Sequence, residues 1–73
     1  MLIHQKFFRE WYQKKGFIEK NVFYLTQISG NEKKQIGLDK NKNFIVILNN
    51  NLLYVGKEDI KAIEIFNNLK LFY

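Results

Sequence analysis

The 73-residue chain has no cysteine and no proline, and it has a single histidine, a single tryptophan and a single methionine. Without cysteine there is neither a disulfide framework nor a thiolate metal site. With His4 alone and few neighbouring carboxylates, a structural metal has no donor set, and no cofactor is expected. Without proline, every strand keeps its backbone donors available for a ladder. No apolar run reaches the ~18–20 residues of a membrane span. The N-terminus, with His4 and Lys6 among large aromatics, lacks the apolar stretch and small-residue cleavage site of a signal peptide. Asparagine is frequent, but none begins an Asn-x-Ser/Thr sequon. A cytoplasmic protein is the resulting expectation.

What is present is apolar and basic. Hydrophobic residues make up 47% of the chain and aromatics 16%, too many for disorder. At this size a domain buries only about 60% of the surface its unfolded chain exposes, so a lone core is marginal. With disulfides and metal removed, self-association is the remaining stabilising device. Twelve Lys and Arg against seven Asp and Glu give a net +5. The excess lies before residue 57: residues 57–73 carry three bases and three acids. Such a balance suits a polyanionic partner, although a solvated basic surface has the same composition.

Residues 2–15 have helical periodicity. Ile3, Phe7, Phe8, Trp11 and Tyr12 form one broad apolar stripe, and Gln5, Lys6, Arg9, Glu10, Gln13 and Lys14 the opposite face. Lys14, Lys15 and Gly16 are expected to end the helix with cations and a left-handed glycine cap. Trp11 and Phe7 are expected to pack it onto the rest of the fold. Strands follow: residues 22–28, rich in β-branched and aromatic types; a weaker one over 34–39; residues 44–48, apolar on both faces and so central; and residues 52–55. Ser29-Gly30-Asn31 and Asn49-Asn50-Asn51 read as turns. Residues 57–73 admit two readings. Ile60, Ile63 and Phe66 at helical spacing after Asp59 suit a short helix. The β-branched Ile60, Ile63 and Ile65 and the alternation through Lys61 to Ile65 suit a strand, which is the reading preferred. The expectation is therefore one domain, 1–73: a helix over about 2–15, strands within about 21–66, and a tail over 67–73. It is a mainly β fold, with an N-terminal α-helix before a five-stranded, strongly bent antiparallel sheet that closes toward a small open barrel of SH3-like kind.

Two stretches carry a family resemblance. Val22-Phe23-Tyr24-Leu25, then Gly30, then Asn43-Phe44-Ile45-Val46-Ile47-Leu48 match the first; Val55-Gly56-Lys57-Glu58-Asp59-Ile60-Lys61-Ala62-Ile63 match the second. In these the chain resembles the Sm-like (LSm) family, most closely its Hfq branch. The resemblance spans about 42 residues, with a loop after the first strand about three residues longer than usual. It implies a homo-oligomeric ring, a hexamer sooner than a heptamer, in which the fourth strand of one subunit pairs with the fifth of the next. It also implies binding of uridine-rich and adenine-rich single-stranded RNA on two faces, as an RNA chaperone in post-transcriptional regulation. By the same resemblance Phe44 is a base-stacking residue of a pore-side pocket, with Asn43 in place of the usual glutamine and Lys57 on the lysine of the Tyr-Lys-His signature. Gly56 and Glu58 replace the tyrosine and histidine, and Glu58 with Asp59 puts negative charge where phosphate would pass. Tyr24 falls on the opposite, adenine-binding face. Lys6, Arg9, Lys14, Lys15 and Lys42 are candidate phosphate contacts.

Each of these residues also has a structural explanation. Phe44 and Tyr24 suit a core or a half-exposed strand, the helix cations suit a solvated face, and His4 suits an incidental surface position. No nucleophile stands with a base: Ser29 and Thr26 have only His4, and Gly56-Lys57 lacks the P-loop spacing. An enzyme is not expected. The alternative to RNA binding is a small basic α+β protein-interaction module, such as a phage or plasmid inhibitor. The two diverge at residues 60–66, where a strand favours the ring and a helix the interaction module.

Overall fold

The computed structural model describes residues 2–70. In order, the elements are α1 (Gln5–Gln13), β1 (Val22–Ser29), β2 (Glu32–Leu38), β3 (Phe44–Leu48), β4 (Asn51–Gly56) and α2 (Asp59–Asn68). The strands form one antiparallel meander in the order β1-β2-β3-β4.

Each hairpin has a chemical reason. Gly30 takes the positive φ of 60° that begins the two-residue β1–β2 loop. Asn49 and Asn50, at φ 50° and 69°, form the two-residue β3–β4 loop, and asparagine is among the few residues that tolerate this region. Between β2 and β3 the Asp39 carboxylate accepts the backbone N–H groups of Asn41 and Asn43, both at 2.9 Å. Partial burial pushes that carboxyl up, but these bonds and the Asn43 side chain outweigh it and hold Asp39 below the ordinary aspartate range.

The register defines two faces. On the inner face Val22, Leu38, Phe44 and Gly56 align across the strands, as do Leu25, Ile36, Val46 and Tyr54. Bulges interrupt β1 between Phe23 and Leu25 and β4 next to Val46/Ile47. Both helices pack on the inner face, where Ile3, Phe8, Ile18, Ala62, Ile63 and Phe66 join the strand residues in one cluster. Phe8, at 0% exposure, lies within 5.2–5.8 Å of the rings of Trp11, Tyr12, Tyr24 and Phe44.

The C-terminal segment corrects the sequence reading. Residues 59–68 are helical, so the sheet has four strands and the preferred strand over 60–66 is not formed. The isoleucines that suggested alternation serve a helix because Ala62, Ile63 and Phe66 lie on one side of it, buried against β2 and β3. A buried cation fixes this helix in place. The Lys34 ammonium donates to the carbonyls of Phe66 at 2.8 Å and Leu69 at 2.9 Å, and sits 4.3 Å from the Phe66 ring centroid. It adds a second donor to the Phe66 carbonyl, which also accepts the Leu69 N–H at 3.2 Å, and one to the Leu69 carbonyl just past the helix, while burial pulls its own pKa down. In the same helix Asn67 reaches the N-terminal segment, accepting from the Ile3 N–H at 2.9 Å and donating to the Ile3 carbonyl at 3.2 Å.

Four smaller expectations also change. The first helix is shorter than 2–15, and Lys14 and Lys15 fall just beyond it, their N–H groups bonded back to Trp11 and Tyr12. Gly16 has no left-handed φ, because that tighter last turn already uses the carbonyls. Phe7 is 55% exposed while Phe8 is buried, so the apolar stripe is narrower than its composition implies. Of the tail over 67–73, Asn67 and Asn68 belong to α2, and residues 71–73 lie outside the described residues.

Candidate interaction surfaces

Phe44 is only 7% exposed, with its ring 4.8 Å from Tyr12 and 5.7 Å from Phe8. Here it packs α1 onto the sheet and has no free face for a base. Tyr24 lies against the same Phe8 and against Trp11 at 5.3 Å. The two residues expected on opposite faces therefore share one cluster, because the β1 bulge turns Tyr24 inward with Leu25. Asn43 is engaged with Asp39, its side-chain amide donating at 3.3 Å.

The expected cations fall into two groups. Arg9 pairs with Asp59 at 3.3 Å, and Tyr12 donates its hydroxyl to the same carboxylate at 2.8 Å. Burial pushes the Asp59 carboxyl up, but hydrogen bonds from Tyr12, the Ile60 N–H and Arg9 hold it below the ordinary range. Asp59 thus ties α2 to α1. Lys6 and Lys14 are exposed on or beside α1, with the Lys6 ammonium 5.9 Å from the Phe7 ring.

The second group converges at one end of the sheet. The Lys42 ammonium donates to the Lys15 carbonyl at 3.2 Å, and Lys57 donates to the Asn41 carbonyl at 3.1 Å. The Lys15 ammonium sits 4.8 Å from the half-buried Trp11 ring. Beside them Lys20 and Lys40 line an open groove with Glu19, Asn21, Asp39 and Asn41. Sequence spacing could not reveal this, since the cations come from three segments that only the β2–β3 loop and the helix–sheet linker bring together.

The outer face of the sheet is the other surface, and it went unrecognised in the sequence. Phe23, Gly37, Ile45 and Val55 align across it, followed by Thr26, Gln35, Ile47 and Leu52, and then Ile28 with Lys33. An antiparallel sheet covered on one side normally turns polar residues outward on the other. Here, among these register positions, Lys33 is the one charge. Gln35 and Thr26 bond each other at 3.4 Å. Ile28 is 70% exposed, Leu52 57%, Val55 50% and Phe23 36%, and Leu53 in the β4 bulge is 44%. Ile45 is the exception: it is 2% exposed yet outside the inner cluster. Gly37 opposite it is compulsory, because a Cβ there would meet the Val22 carbonyl oxygen and lie 2.7 Å from the Phe23 Cα. The signal was in the sequence: β3 is apolar on both faces, and neither edge strand, β1 nor β4, contains a charged residue.

Among the described residues no cluster of His, Cys, Asp and Glu is able to hold a metal, and no helix is long and apolar enough to cross a membrane. No family model, curated protein or solved structure matches the chain.

Proposed function

We propose that this is a small basic α+β interaction module that works by binding another protein through the outer face of its sheet. The observation that supports this reading is the uncovered apolar face, flanked by edge strands that carry no charge. Contiguous apolar surface of this kind marks interaction sites, and edge strands in proteins that avoid association are usually protected by lysine or proline. The helix at residues 59–68 supports the same reading, because a ring joined through a fifth strand requires a strand there. A photocrosslinking amino acid at Leu52, compared with one at Lys61 on α2, tests it in cells that make the protein. A discrete adduct from Leu52 and none from Lys61 is expected. Adducts from both positions alike, or from neither, overturn the reading.

Single-stranded RNA binding is a second reading, supported by the basic end formed by Lys15, Lys20, Lys40, Lys42 and Lys57. In this reading the contacts are to phosphate. Fluorescence anisotropy with uridine-rich and adenine-rich oligonucleotides tests it. Binding that weakens steeply with salt and is lost in a Lys42→Glu/Lys57→Glu variant is expected; salt-independent binding, or none, rejects it.

A further inference from the structure

We infer that the occupant of the outer sheet face is a second copy of this chain, packed face to face about a two-fold axis. This rests on the reading of that face as a docking surface and names its partner.

The first argument is area. The exposed parts of Phe23, Ile28, Leu52 and Val55 amount to roughly 400 Å² per copy, against ~800 Å² per partner in a standard stable interface. Ile47, Thr26 and Gln35, all on the same face, extend it toward that size. One copy's face thus supplies most of what a stable dimer needs, and a two-fold axis brings the same surface from the other side.

The second argument is charge. A chain of net +5 repels its own copy, so self-association requires that the charges lie away from the contact. They do. Lys33 stands at one end of the face, beside the Asn49 turn, and its backbone N–H is held by the Asn49 side chain at 2.7 Å. The cationic cluster of Lys15, Lys42 and Lys57 is held by loops at the opposite end of β2 and β3. The polar pair at the centre, Gln35 and Thr26, is neutral and already bonded.

The third argument is layering. The chain measures 36 × 24 × 16 Å, its shortest dimension holding one sheet and one helical layer. Two sheets packed about 10 Å apart would turn two thin halves into a four-layer body, helices outside and sheets inside. The outer residues would then form a second core, the device a 73-residue chain without cysteine otherwise lacks.

Sedimentation equilibrium of the purified full chain, from low micromolar to near-millimolar concentration, tests the inference. The expected mass is twice the 8.8 kDa of one chain. Leu52→Lys and Val55→Lys should each return it to a single-chain mass, with circular dichroism unchanged. Ile28→Lys, at the most exposed of these positions, is the variant whose folding is least at risk, and it should weaken the dimer at least tenfold. A single-chain mass for the wild type overturns the inference, as does a double mass that all three variants retain or that nuclease treatment abolishes. The crosslinking at Leu52 separates this failure from the wider one. An adduct to a different protein leaves the docking face standing with another occupant, whereas no adduct removes the face itself.

Discussion

The two faces of this sheet are built from similar residues and differ in what covers them. Ile36, Val46 and Phe44 point inward and are buried by α1 and α2; Ile47, Leu52 and Val55 point outward and keep surface exposed. Side-chain chemistry is nearly the same on both sides, so hydrophobicity alone does not define the folded core. The core is where a second layer is available within the chain. The outer face has the composition of a core and lacks that layer, and this is why it reads as a contact surface.

The comparison yields experiments in decreasing order of effect on folding. Phe8→Ala should be the most damaging, costing about 3–5 kcal/mol by removing a fully buried ring, most of the stability of so small a domain. Urea denaturation, or failure to fold at all, reads it out. Gly37→Ala should cost more than its exposure suggests, about 2 kcal/mol or more, because the new methyl meets β1 backbone that has no room to yield. A neutral result would mean that β1 lies less closely on the outer side.

Lys34→Met should cost about 1–2 kcal/mol by leaving the Leu69 carbonyl without the ammonium and the Phe66 carbonyl with only the Leu69 N–H. Hydrogen exchange should accelerate in the last turn of α2 more than in the sheet. Tyr12→Phe should cost about 1 kcal/mol through its lost bond to Asp59. Substituting the outer residues Leu52 or Val55 by lysine should change folding by no more than about 0.5 kcal/mol, while abolishing association. If these outer changes unfolded the chain instead, the contrast between the faces would collapse.

The two aspartates add a pH test. Asp39 and Asp59 are both held below the ordinary aspartate range in the folded chain. A carboxylate with a depressed folded-state pKa contributes stability that is fully present above its unfolded pKa and lost as pH falls through the folded one. The aspartates' contribution should therefore be flat above about pH 5 and fall below about pH 4, near the unfolded aspartate pKa. Asp59→Asn should be less stable than the wild type at neutral pH and should flatten the acid loss; an unchanged slope would remove the α1–α2 tie as its source.

Much of the fold was legible along the chain. The strand over 44–48, the turns at Gly30 and Asn49-Asn50 and the helix in the first fifteen residues follow from propensity, alternation and the few residues that tolerate positive φ. Residues 60–66 were not legible in the same way. Ile60, Ile63, Ile65 and Phe66 satisfy a 2-residue and a 3.6-residue period almost equally well, and β-branched content inclined the reading toward a strand. What decided the matter is non-local: Lys34, about thirty residues upstream, offers donors to the end of a helix there, and Asp59 has Tyr12 and Arg9 to bond.

The candidate surfaces divide likewise. The cations were visible, but not that Arg9 is engaged by Asp59 while Lys42 and Lys57 gather at one end. Phe44 and Tyr24 were visible as aromatics, but not that both turn toward Phe8. The sequence by itself determined a basic chain with a leading helix and with strands between residues 22 and 56, without disulfide, metal-thiolate or proline, because those properties reside in residue types and short spacings. The tertiary structure alone decided which end of the chain is a second helix and which face of the sheet is left uncovered. Burial is a property of pairs of elements, and one strand's alternation leaves open which of two apolar faces its neighbours will cover.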